Sequence, residues 1–201
     1  WCIDPMDGTL PFTQGFPGFA VSSALVARDG RPMIGVVYDP VQDKLYRAVQ
    51  GQGIAINGAL WMPRQPQSPF ARVLRLYCDC TFELHPLRAA IVAQMQRVAK
   101  ELGYAGLRLE SGGGGVLNAC WVLEHAPACY LKQPKIQTGG GSLWDFAATA
   151  CLFHEAGAYG RDFAGDALDL NRGDSTYMNH RGVLFASDKD LGRQIRRIYA
   201  R

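Results

Sequence analysis

With 201 residues, 48% of them hydrophobic and 19% charged, the chain is long enough to bury a core and too poor in charge to stay disordered. Its 21 Lys and Arg against 18 Asp and Glu leave a formal charge of +3, short of the concentrated basic surface that holds a phosphate backbone, so no nucleic acid polymer is expected as a partner. No run approaches the roughly 20 apolar residues of a membrane span and no charged-then-apolar leader opens the chain, which reads as a cytoplasmic protein of one or two domains with no membrane partner.

In chain order, residues 19–27 form an apolar run, Asp29-Gly30-Arg31-Pro32 a turn, residues 33–38 a β-branched stretch, and residues 44–49 a further strand beyond Asp39-Pro40. The first half therefore reads as antiparallel strands joined by short turns. Gly51, Gly53 and Gly58 punctuate the next stretch. Pro63, Pro66 and Pro69 mark a connector, and a boundary placed there divides the chain into subdomains 1–66 and 67–201. Beyond it, residues 73–78 predict a strand. Leu87, Ile91, Met95, Val98 and Leu102 recur at helical spacing and predict a helix over 86–102, with Pro86 suited to its first position and Gly103 to its end. Residues 116–123 read as a helix, 128–131 as a strand, 143–156 as a helix ended by Gly157, 182–186 as a strand and 191–199 as a last helix. Strands alternating with helices imply an α/β layer arrangement in this half. The six cysteines are spread thinly and read as free, mostly core-filling thiols.

Two segments could carry chemistry. Asp4-Pro5-Met6-Asp7-Gly8-Thr9 sets two carboxylates three residues apart around a proline, then adds a glycine and a hydroxyl. Such a turn can aim both acids at a hard cation such as Mg²⁺ and offer amides to a phosphate oxygen; a plain turn also accounts for each residue. Asp145, in Leu143-Trp144-Asp145-Phe146-Ala147-Ala148, is a second carboxylate, and its spacing from Ser142 fits a capping box. Other motifs fall away. His154-Glu155 lacks the second histidine of a zinc helix because Ala158 stands there, and Cys78-Asp79-Cys80 with His85 lacks a second ligand pair. Neither glycine run, at 112–115 or 139–141, continues into a P-loop, and no Gly-x-Ser-x-Gly elbow occurs. Arg193, Arg196, Arg197 and Arg201 read as the solvated face of the terminal helix.

The segment Trp1-Cys2-Ile3-Asp4-Pro5-Met6-Asp7-Gly8-Thr9, followed by Phe12, Gly15, Pro17 and Phe19, resembles the first signature of the inositol monophosphatase family. Trp144-Asp145-Phe146-Ala147-Ala148 with Glu155-Ala156-Gly157 resembles its second, and Gly35–Pro40 and Gly51–Gly58 also match the family's habit. That superfamily of Mg²⁺-dependent, lithium-sensitive-type phosphatases includes fructose-1,6-bisphosphatase and 3′(2′),5′-bisphosphate nucleotidase. The resemblance implies an α/β fold, a layered α+β sandwich with an antiparallel or mixed sheet in the first half and an α/β layer in the second. It further implies two or three Mg²⁺ ions held by Asp4, Asp7, Asp145 and the Met6 main-chain carbonyl, with Asp145 serving as cap and ligand together. Gly8 and Thr9 would hold the phosphate, and the Thr9 hydroxyl would orient a metal-activated water, making Asp4, Thr9 and Asp145 the catalytic set. The expected reaction is hydrolysis of a small phosphate monoester (an inositol phosphate, a sugar phosphate or a 3′-phosphonucleotide), in a homodimer.

Departures from the pattern set further expectations. The family's opening helices, with a Glu-Glu pair and an acidic partner for the threonine, would precede Trp1, so the chain as given is expected to bind its metals poorly. Pro11 stands where an Asn is usual. Gly113, Gly114 and Thr138 occupy places where inositol-binding members carry hydroxyl or acidic groups, while Lys132 and Lys135 could bring charge to a second phosphate. The alternative reading is a catalytically impaired homologue that binds a phosphate ligand or forms oligomers.

Overall fold

The computed structural model of the chain describes residues 1–62 and 72–199. The proline connector and the boundary after residue 66 lie outside the described residues, as does Arg201. Period-two alternation drives the first half: β2 (Ala20–Val26), β3 (Pro32–Asp39) and β4 (Lys44–Val49) each bury every second side chain. These strands continue an antiparallel meander that begins at β1 (Cys2–Asp7) and ends with β5 (Ile54–Ile56) and β6 (Ala59–Trp61), giving a six-stranded sheet in sequence order. The last two strands were not expected from the glycine-punctuated stretch. Their turn is Asn57-Gly58, both at positive φ (48° and 80°), the pair that a two-residue hairpin requires.

The second sheet is mixed, in the order β10-β11-β9-β7-β8. In it β7 (Val73–Asp79) runs parallel to β8 (Gly106–Gly113) and β9 (Ala128–Lys132), while β11 (Val183–Ala186) and β10 (Tyr159–Arg161) run antiparallel. Strands β8 and β10 escaped the pattern reading, β8 because its glycines at 112 and 113 look like loop. The helix α2 (Arg88–Glu101) carries the predicted stripe, with Ile91, Met95 and Val98 buried. Its N-cap is Leu87, so Pro86 precedes the cap and does not occupy the first helical position. Gly103, at φ 74°, follows the helix in the left-handed conformation that closes such ends. Helix α5 (Lys189–Tyr199) begins two residues earlier than expected, with Asp188 accepting the Leu191 N–H at 2.8 Å, and Arg193 pairs with Asp190 on its outer face.

Helices α3 (Gly115–Glu124) and α4 (Leu143–Glu155) lie between the two sheets. One buried cluster joins Val37 and Tyr46 of the first sheet to Val116, Phe146 and Phe153 of the helices and Phe185 of the second. A second cluster, under α2 and α5, covers the other face of the second sheet. The order is thus sheet, helix pair, sheet, helix pair. All six cysteines are free and five are buried. No helix among the described residues is long and apolar enough to cross a membrane.

The approach of α4 to the first sheet depends on a row of small residues: Ala24 pairs with Gly35 and Gly35 with Ala48. A Cβ on Gly35 would meet the Ala148 carbonyl oxygen at 2.3 Å and the Cys151 Cβ at 2.8 Å, so the helix would have to lift. We expect Gly35→Ala to lower stability by about 1–3 kcal/mol, as overpacking does. Urea denaturation tests this; a midpoint equal to the parent's would show that the row does not control the approach.

Candidate metal centre

Residues three apart on a regular strand point to opposite faces. Asp4 and Asp7 escape that rule because β1 is bulged: Asp4 opposes Ser22 and Asp7 opposes Ala20, three residues matching two. Pro5, within the bulge, has no N–H to waste on an edge strand. The Asp4 Oδ1 accepts the Met6 N–H at 2.9 Å, and the Thr9 hydroxyl donates to the Met6 carbonyl at 3.2 Å. Gly8 then turns the chain at φ 79° into the short helix α1 (Thr9–Thr13), and a Cβ there would lie 2.5 Å from the Gly18 carbonyl oxygen. Pro11 falls in the first turn of α1, where no intrahelical N–H is needed, so it does not break the helix.

Asp7 is only 6% exposed. Its Oδ2 accepts the Val116 N–H at 3.0 Å in the first turn of α3, where the helix dipole favours an anion. This close seat demands glycine at 114, since a Cβ there would stand 2.3 Å from the same oxygen. Asp145 arrives from the first turn of α4, and its Oδ2 accepts the Ser142 N–H at 3.0 Å, the acidic half of the expected capping box. Gly141, at φ 106°, backs onto that carboxylate.

Ligand oxygens of Asp4, Asp7 and Asp145 all lie within 4.8 Å of one another. Burial, reinforced by the charge of Asp145, pushes the Asp7 carboxyl up to about 8. Burial likewise raises Asp145 to about 6 against the opposing Ser142 N–H and Lys132. Lys132 at the end of β9 gives its ammonium to Asp79 at 3.0 Å, so its charge relieves the cluster from a distance without pairing directly. Three acids converging with no paired cation among the described residues, all oxygen donors, suit a hard divalent ion. Of the other residues singled out in the sequence, Gly113 and Gly114 pack on Asn118 and Asp7, and Lys135 shares a cavity with Lys132. Thr138 lines a separate, shallower depression with Arg172 and His180. Sequence reasoning missed Asp79, which ends β7 and gathers Lys132, the Tyr130 hydroxyl at 2.9 Å and the Asn118 amide at 3.3 Å. Its signal was its place at the carboxyl end of a parallel strand, where α/β sheets gather ligands.

The profile of the inositol monophosphatase family matches residues 1–199. The chain belongs to that family. Among curated relatives, the Nus factor SuhB of Pasteurella multocida is 31% identical over 173 residues, 86% of this chain and 60% of its own length. Inositol monophosphatase 1 of Solanum lycopersicum is 32% identical over 172 residues, 85% of this chain and 58% of its own. The chain thus spans about 60% of the length of these relatives. An inositol monophosphatase from Zymomonas mobilis superposes with a TM-score of 0.72 at 23% identity, covering 100% of this chain and 70% of that one, and shares the fold.

The raised carboxyls make stability depend on pH in a definite sense. Between about 4, the ordinary Asp value, and about 8, the folded chain holds a proton on Asp7 that the unfolded chain has released, so stability falls as pH rises through that window. In EDTA, Asp7→Asn should remove most of this fall, and added Mg²⁺ should offset it at pH 8. Urea midpoints at pH 5 and pH 8 test it; equal pH slopes for parent and variant would contradict the burial of a strained acid at this position.

Proposed function

We propose that this chain carries the metal-dependent hydrolysis of a small phosphate monoester, releasing inorganic phosphate and an alcohol. The observation that supports it most is the convergence of Asp4, Asp7 and Asp145 within 4.8 Å, drawn from two sequence-distant segments and left without a paired cation among the described residues. In this reading Asp4, Asp7, Asp145 and the Met6 carbonyl hold two or three Mg²⁺ ions. When bound, the ions supply Lewis acidity toward the phosphate and toward water and neutralise charge on the oxygens of an in-line displacement.

The chain's own groups do the positioning. Asp7 is fixed by the Val116 N–H and Asp145 by the Ser142 N–H, so neither carboxylate must reorganise to take a ligand. The Thr9 hydroxyl spends its hydrogen on the Met6 carbonyl, which leaves its oxygen to accept a hydrogen bond from the attacking water and aim it. The amides of Gly8 and Thr9 take phosphate oxygens. Lys132, paired with Asp79, adds positive charge that acts on the cluster from a distance. Family relatives named inositol monophosphatase support the reaction class. A relative is named Nus factor SuhB, a name that denotes a factor and not a phosphatase, and this favours the second reading, a binding homologue.

Asp4→Asn and Asp145→Asn keep shape and remove charge, so each should lower Mg²⁺-dependent phosphate release at least about 100-fold with little change in thermal midpoint. Ca²⁺, with its larger and more flexible shell, should support far less turnover than Mg²⁺. Both are read by phosphate release from the full-length protein with inositol, sugar and nucleoside 3′-phosphates. Near-parental turnover by either variant would remove that residue from the site, and tight ester binding without release would favour the binding reading.

A further inference from the structure

The strand that carries Lys132 toward the acidic cluster also brings it beside a carboxylate of its neighbour. In the parallel pair of β7 and β9, Arg75 lies opposite Ala128 and Tyr77 opposite Tyr130, so two residues further on Asp79 comes beside Lys132. Asp79 is clamped there. Its Oδ1 accepts the Tyr130 hydroxyl at 2.9 Å and the Asn118 amide at 3.3 Å, and that amide is itself fixed by the Gly113 carbonyl at 3.1 Å. Tyr130 and Asn118 are fully buried, which fixes the carboxylate with its Oδ2 facing the Lys132 ammonium at 3.0 Å.

Both side-chain donors nearest this carboxylate stand close to the metal-centre acids as well. A Cβ on Gly115 would lie 3.3 Å from the Tyr130 hydroxyl and 3.8 Å from the Asp7 Oδ1, and one on Gly141 would lie 2.6 Å from the Phe146 Cζ and 2.9 Å from the Asp145 Oδ2. The Lys132 ammonium is 5.9 Å from the centre of that same Phe146 ring, and its charge is felt at Asp7 and Asp145 alike. A lysine, with a flexible stem and rotatable donors, takes whichever acceptor within reach attracts it most. Three crowded carboxylates attract it strongly, since a cation among like anions gains from each of them. An ammonium seated there covers the oxygens that a divalent cation needs. Yet it is Asp79, outside the trio, that takes the ammonium and the Tyr130 hydroxyl, while Asp7 and Asp145 receive the backbone N–H groups of Val116 and Ser142.

We propose that Asp79 is a positioning residue, a tether that holds the Lys132 ammonium off Asp7 and Asp145 and so keeps the three carboxylates open to a divalent cation. The proposal rests on the metal reading of that site, and its test separates the two. Calorimetric titration with Mn²⁺ compares the full-length parent with Asp79→Asn, Lys132→Met and the double variant. Asp79→Asn keeps an oxygen for Tyr130 and removes the charge that holds Lys132, so it should weaken Mn²⁺ binding about 10-fold. Lys132→Met should tighten binding about 10-fold in the Asp79→Asn background and by less than about 3-fold in the parent, the coupling of two groups in contact. An unchanged affinity in Asp79→Asn, or equal effects of Lys132→Met in both backgrounds, overturns the proposal, because a merely structural Asp79 or charge acting only at a distance gives additive changes. Metal-free crystals of Asp79→Asn give a second readout: the Lys132 Nζ should move to within hydrogen-bond distance of Asp7 or Asp145, and an ammonium left in its parental place overturns the tether. Should the parent take up no Mn²⁺, the metal reading fails, and those crystals alone decide whether Asp79 restrains Lys132.

Discussion

Three carboxylates of one sign are forced together at the meeting point of two sheets, and much of the local backbone exists to hold them there. Like charges in a partly buried setting repel and lose solvation at once, which is why Asp7 and Asp145 sit above the ordinary carboxylate range. The fold meets this cost with fixed dipoles: the Val116 N–H at the start of α3 and the Ser142 N–H at the start of α4 each point at one of the acids. Neither dipole neutralises the cluster. A divalent cation would, and binding one would then be coupled to the tertiary arrangement that brings residue 7 against residue 116 and residue 145.

That arrangement explains where the small residues fall. Gly114 admits the Asp7 carboxylate, Gly141 admits that of Asp145, and Gly35 lets α4 settle on the first sheet so that its first turn reaches the site. The shared cluster of buried side chains running from Val37 through Phe146 to Phe185 makes the two sheets one mechanical unit. A change in helix seating is therefore felt as a change in carboxylate spacing, since close-packed interiors transmit strain.

Much of this was legible in the sequence, and the illegible parts have identifiable causes. Strands β2, β3 and β4 and helices α2 and α5 announced themselves by apolar periodicity, and helices α3 and α4, buried on nearly every face, by continuous apolar runs. Strand β1 did not: Pro5 and Gly8 look like a turn, and the bulge that rotates Asp4 and Asp7 onto one face also destroys the alternation that would mark a strand. The hairpin of β5 and β6 hid behind glycines although Asn57-Gly58 is its own signal, and β8 hid because it ends in glycine. The acids were found by motif, yet their common focus and the role of Asp79 as an anchor for Lys132 depend on contacts between residues far apart in the chain.

Everything else rests on Asp4, Asp7 and Asp145 together holding a divalent cation. Crystals of the full-length protein grown with Mn²⁺ would address this without reference to turnover, through anomalous scattering at the manganese edge. An anomalous peak is expected among the three carboxylates within oxygen-ligand distance, lost when Asp7 is replaced by Asn. Anomalous density confined to other surface acids, with the three carboxylates bare, would contradict it.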